Sequence, residues 1–86
     1  MAGDRVTAEV HVALKPTVLD PQGKTIQAAL ARLGFDRIED LRQGKLFTLR
    51  LAPGMDPEEA RRAVERIARE VLTNPVIEEF TYRIEE

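Results

Sequence analysis

Apolar and polar residues alternate one for one at the start of the chain. Val6, Ala8, Val10, Val12 and Leu14 fall on one side, and Thr7, Glu9, His11 and Ala13 on the other. This period of two predicts a half-buried strand. Lys15-Pro16 ends it, because proline has no N–H to give a ladder. Asp20-Pro21 then opens a helix, the aspartate as cap and the proline at the first helical position. Ile26, Ala29, Leu30 and Leu33 form its apolar stripe, and Gly34 stops it by entering the left-handed region. Gly23 is out of place: in a first turn it weakens the helix by about 1 kcal/mol relative to alanine.

Residues 35–51 look strand-like but change phase. Phe47, Leu49 and Leu51 alternate with Thr48 and Arg50, while Ile38 has the opposite parity. A hairpin or a bulge at Gln43-Gly44 explains the shift. One long strand bent near Gly44 is the favoured form, and two short strands the other. After a loop at Ala52-Pro53-Gly54, Asp56-Pro57-Glu58-Glu59 starts a second helix, with Asp56 as cap and an acidic third position reaching back. Its stripe is Ala60, Ala63, Val64, Ile67, Ala68, Val71 and Leu72, and Glu58/Arg62 and Glu65/Arg69 are spaced for ion pairs. Asn74-Pro75 breaks this helix, and residues 76–84 form the last strand, with Phe80, Tyr82 and Ile84 on one face.

The order is β-α-β-α-β, or β-α-β-β-α-β if Gly44 makes a hairpin. Each helix is apolar on one side only, so the expected fold is α+β. It is a two-layer sandwich in which both helices cover one face of a small antiparallel sheet. The chain of 86 residues is a single domain, residues 1–86. A sheet this small leaves its edges unpaired, which predicts a homo-oligomer built at least from dimers.

Composition narrows the chemistry. There is no cysteine and no serine, and His11 is the sole histidine. Disulfides, thiolate metal sites and serine nucleophiles are excluded, and no catalytic residue and no metal site are expected. His11, without a second ligand nearby, reads more simply as a solvated or interface histidine than as a catalytic one. Most carboxylates sit on the second helix or at Glu85-Glu86, where they read as solvated faces. A net charge of −2 gives no field to gather nucleic acid or an anionic membrane. Arg37, Arg42, Lys45 and Arg50 make the middle strand locally basic, but Phe47 and Phe80 fall on the helix-covered face, so no aromatic platform for bases is expected. No apolar run approaches membrane-spanning length, and the first residues lack a signal-peptide pattern, which points to the cytoplasm. Gly44-Lys45 alone is too little for a phosphate loop.

Two connecting segments are more specified than loops require. In residues 14–23, Gln22-Gly23 occupies a helical first turn, and close approach of another backbone is one physical reason for the glycine. Asn74-Pro75-Val76-Ile77-Glu78 is similarly particular, although an ordinary helix-to-strand turn also accounts for it. These segments resemble the PurS family, the small subunit of phosphoribosylformylglycinamidine synthase in purine biosynthesis. The resemblance rests on Leu14-Lys15, Val18-Leu19-Asp20-Pro21-Gln22-Gly23, Ala29-Leu30 with Leu33-Gly34, Arg42 with Gly44-Lys45, and Asn74-Pro75-Val76-Ile77-Glu78. Pro16-Thr17 departs from it, being stiffer and larger than the pattern there.

The resemblance implies a ferredoxin-like relative that is dimeric and can assemble into tetramers. It implies two larger partners, a glutaminase subunit and an ATP-dependent synthetase subunit. ATP and magnesium would be used by that complex, with no cofactor bound by this chain alone. The chain would bridge the partners and support ammonia transfer, with no active site of its own. On that basis Lys15, Gln22, Gly23, Arg42, Gly44 and Lys45 are expected at partner contacts. Asp20, Gly34, Asn74 and Pro75 are expected to cap and shape turns. The competing reading is a dimeric small-molecule-sensing module of ferredoxin-like type, with Gly34, Gly44 and Gly54 in interface loops.

Overall fold

A computed structural model of the chain describes residues 6–85. The residues 1–5 weighed for a leader, and Glu86 of the terminal acidic pair, lie outside the described residues. Strand β1 (Val6–Leu14) is central, flanked by β2 (Gly44–Leu51) and β3 (Glu78–Glu85), both antiparallel to it. Val10 stands opposite Phe47 on one side and Tyr82 on the other; Ala8 opposes Leu49 and Ile84. Because directly opposed residues share a face, the apolar alternation of all three strands falls on one side of the sheet.

Helix α2 (Pro57–Ile67), continued by a π turn (Ala68–Leu72), covers that side. Ala8, Val10, Val12, Val64 and Ala68 are buried together, with Phe47, Leu49, Leu51, Leu72, Phe80, Tyr82 and Ile84 packed around them. The small side chains of Ala8, Ala60 and Ala68 let helix and sheet approach closely, while β-branched Val10, Val12 and Val64 fill the middle. Residues 60, 64, 68 and 72 step by four, which overshoots a 3.6-residue turn and drifts around the axis. The wider π turn offsets the drift and keeps Leu72 against the core. Val71, expected in the core stripe, is instead 74% exposed.

Helix α1 (Pro21–Arg32) follows its signals at both ends. Asp20 caps it by accepting the Gly23 amide at 3.0 Å. At the other end Gly34 has φ 99°, the Gly34 amide donates to Ala31 O at 3.1 Å and the Phe35 amide to Leu30 O at 2.9 Å, which together form a Schellman motif. The α+β class with three antiparallel strands and two helices is as expected, but α1 does not lie across the sheet. Gly23 is its one buried residue, and Ile26 and Leu33 are exposed. The molecule is 51 Å long, whereas a nine-residue strand spans about 30 Å. Helix α1 is thus an arm leaving one end of the sheet. The core face of three short strands is already occupied by α2, so the arm's stripe finds no room there.

Three further expectations change. Residues 35–43 are not part of a long bent strand, nor one arm of a hairpin; β2 begins at Gly44. The segment 35–43 is an irregular strap whose backbone groups bond to side chains of the arm rather than to a ladder: Gln27 Nε2 donates to Ile38 O at 2.9 Å, and the Gln43 amide donates to Asp20 at 2.7 Å. Asp56 forms no side-chain cap; the first turn of α2 relies on Pro57 and its early acids. Glu58 pairs with Arg61 at 2.8 Å rather than with Arg62, whereas Glu65 does pair with Arg69. The last strand starts at Glu78, leaving Val76 and Ile77 in the preceding turn. No helix among the described residues is long and apolar enough to cross a membrane.

Candidate functional site

Antiparallel pairing brings the end of β1 together with the starts of β2 and β3. Ala13 faces Gly44, and Leu14 faces Glu78. Segments far apart in sequence therefore meet at one end of the sheet: the 15–20 turn, the strap's last residues and the 74–78 turn. The Lys15 amide donates to Ile77 O at 2.8 Å, and the Val18 amide donates back to Lys15 O at 2.9 Å.

Asp20 is the centre of this end. It is 5% exposed, and its two carboxylate oxygens are used separately. Oδ1 accepts the Gly23 amide and Oδ2 the Gln43 amide, so one side chain caps α1 and ties the strap to it. The Gln43 amide first, and then the Gly23 amide, hold the Asp20 carboxyl below its ordinary value; the Arg42 charge adds to this, and burial opposes it.

Arg42 closes the other side of the clamp. Its Nη2 donates to both Lys15 O and Val18 O at 2.9 Å, which fixes the 15–18 turn. Gln43 Nε2 donates to Gln22 Oε1 at 2.7 Å. Both glycines sit where backbone passes close. A Cβ at Gly23 would lie 2.5 Å from Leu41 O, and one at Gly44 would lie 2.8 Å from Val12 O. The backbone approaching Gly23 is the chain's own strap.

Asn74 organises the third segment. Its Oδ1 accepts the Val76 amide at 3.1 Å and its carbonyl accepts the Glu78 amide at 2.7 Å. Glu78 Oε1 in turn accepts the Asn74 amide at 2.8 Å, and Glu78 Oε2 lies 3.6 Å from Lys45 Nζ. Pro75 is exposed within this turn.

A recess of about 180 Å³ opens between these parts, lined by Leu14, Asp20, Gln22, Gln43, Lys45 and Glu78 among others. Its polar atoms are mostly spent on the chain's own backbone, so it offers shape and rim charge rather than a free acid, base or nucleophile. The one capped helix start here, that of α1, already holds the Asp20 carboxylate where an anion would bind.

The structure thus assembles Lys15, Asp20, Gln22, Gly23, Arg42, Gly44, Lys45, Asn74 and Pro75 at one end. Gly34 stands apart at the arm's tip, and His11 is exposed on the sheet's open face, opposite Leu46 and Thr81. Sequence reasoning missed Gln43 and Glu78 as members of the site. Their signals were present: Gln43 sits between Arg42 and Gly44, and Glu78 lies four residues after Asn74, within reach of its amide.

The sequence profile of the family described as PurS, phosphoribosylformylglycinamidine (FGAM) synthase, matches residues 7–86. A relative from Mycobacterium leprae, the phosphoribosylformylglycinamidine synthase subunit PurS, is 46% identical over 74 residues, covering 86% of this chain and 89% of its own. The structure of Thermus thermophilus PurS superposes with a TM-score of 0.84 at 30% identity, over 95% of this chain and 96% of that one. A chain from the structure of PurLQS from Thermotoga maritima gives a TM-score of 0.84 at 30% identity, over 94% of this chain and 98% of that one.

Proposed function

The chain belongs to the PurS family of phosphoribosylformylglycinamidine synthase, and we propose that within that complex it carries no chemistry and holds two larger subunits together. It is a subunit of FGAM synthase, a purine-biosynthetic enzyme. The larger subunits are a glutaminase that releases ammonia and an ATP-dependent synthetase that consumes it. The small chain supports transfer between them in the cytoplasm. ATP and magnesium belong to the synthetase. The observation that carries this reading is the state of Asp20: the most buried carboxylate of the site has both oxygens committed to backbone amides, so the site is built to hold a shape. Lys15, Gln22, Gly23, Arg42, Gly44 and Lys45 form or support the contact surface.

The working unit is a homodimer that can pair again into a tetramer. The arm presents Ile26, Leu33 and Phe35 to solvent. The outer side of α2 carries an apolar groove of about 400 Å³ lined by Ala63, Ile67 and Val71 with Arg66 and Glu70. A second copy's arm is the occupant of matching chemistry, and exchange of arms covers both stripes at once.

The test is reconstitution. Amidine synthesis by purified glutaminase and synthetase is measured with glutamine and separately with ammonium salt, with and without this chain. Glutamine-dependent synthesis should require it and ammonia-dependent synthesis should not. Equal glutamine-dependent rates without the chain, or turnover by the chain alone, overturn the reading.

A further inference from the structure

The clamped end of the sheet also exposes apolar side chains on a fixed frame. Leu19 is 68% and Val76 79% exposed, and Ile77 is exposed beside them. The Lys15–Ile77 hydrogen bond lays the turn bearing Leu19 against the turn bearing Val76. Arg42 and Asn74 pin these two turns, so little ordering is left to lose on contact.

The rim of this patch is basic. Lys15 and Arg42 flank it, while of the nearby carboxylates Asp20 is buried against two amides and Glu78 is ion-paired with Lys45, so three cations stand against two carboxylates. Among the described residues no carboxylate lies within 4.0 Å of the charged nitrogens of Lys15 or Arg42. This local excess of positive charge stands on a chain whose net charge is −2.

We propose that the surface centred on Leu19, Val76 and Ile77, and rimmed by Lys15 and Arg42, docks an apolar segment flanked by carboxylates on one of the two larger subunits. The proposal rests on the adaptor reading above and adds which surface is used and what chemistry it meets. Charge argues against a second copy as occupant. A two-fold interface sets a patch against itself, so basic rim would face basic rim. An acidic partner instead gains attraction at the rim and apolar burial at the centre.

The experiment measures the affinity of the intact homo-oligomer for each purified large subunit by biolayer interferometry, at low and high salt. Lys15→Glu reverses a rim charge, Val76→Asp breaks the apolar centre, and Arg62→Glu on α2 is the control. Arg42 is left in place because it holds the turn. Both site variants should weaken binding to the same subunit by at least about tenfold. Lys15→Glu should also flatten the salt dependence, and Arg62→Glu should bind normally. Light scattering should give every variant the wild-type mass, and circular dichroism the wild-type fold. If Val76→Asp unfolds, Lys15→Glu alone decides. Unchanged affinity in the folded site variants, or loss of self-association with affinity retained, overturns the proposal while leaving the adaptor reading intact. Wild-type protein that binds neither subunit overturns both.

Discussion

The carbonyl oxygen of Leu41 lies 2.5 Å from the position a Cβ would take at Gly23. Two backbones touch there, in a helical first turn where alanine would otherwise be favoured by about 0.5–1 kcal/mol. Gly23→Ala should therefore destabilise the protein, by about 1–3 kcal/mol as for other overpacked sites. Urea denaturation followed by circular dichroism measures the change, and a gain in stability would contradict the contact.

Asp20 should make stability depend on pH. Its folded-state carboxyl titrates below the ordinary value of 3.8, so the native state holds the proton less tightly than the unfolded chain does. The stabilisation is complete above the unfolded value and is lost as pH falls through the folded one. Asp20→Asn keeps an acceptor for the Gly23 amide but turns its own NH₂ toward the Gln43 amide, donor against donor. The variant should be less stable than wild type at neutral pH, and the gap should close as pH drops below about 4. Melting temperatures at a series of pH values report this, and a constant gap would remove the carboxylate from the account.

Arg42→Ala leaves the carbonyls of Lys15 and Val18 without a donor. Hydrogen exchange should quicken at residues 15–20 and 41–43 while the β1 ladder stays protected. The stability cost should be about 1–2 kcal/mol. Arg42→Lys should not restore protection, because a shorter, strongly hydrated and freely rotating ammonium does not reproduce the fixed position of the one guanidinium nitrogen that serves both carbonyls. Uniform exchange rates in the variant would show that the clamp is idle.

Self-association should depend on the arm and the outer side of α2. Leu33 and Val71 are each 74% exposed, so Leu33→Asp and Val71→Asp should fold normally. Light scattering should show each losing mass toward the monomer. A persistent wild-type mass in both would exclude arm exchange.

Much of the local structure was legible in the sequence. The period of two over Val6–Leu14 gave β1 with its faces, because burial on one side leaves no freedom of register. Asp20 and Gly34 marked the ends of α1, since caps are local chemistry. The placement of the arm was not legible. A stripe such as Ile26, Leu30 and Leu33 states that something must cover it, not whether that is the chain's own sheet or another molecule. The strap misled for a related reason: its backbone is satisfied by Asp20 and Gln27 from the arm, and a side-chain acceptor distant in sequence leaves no periodic trace. The gathering of Lys15, Arg42 and Asn74 was hidden as well. It follows from β1 lying between the other two strands, an order that no single segment encodes.

That strand order fixes where probes can be attached. Thr7 faces Glu85 across the ladder, so these two positions lie side by side, at the end of the sheet opposite the clamp. The distance along β1 from there to the recess is about 20–25 Å. A fluorophore attached at position 7 or 85 will stand clear of the docking end. A short peptide joining residue 85 directly to residue 7 would yield a circularly closed chain whose new ends can be cut into the Pro53-Gly54 loop.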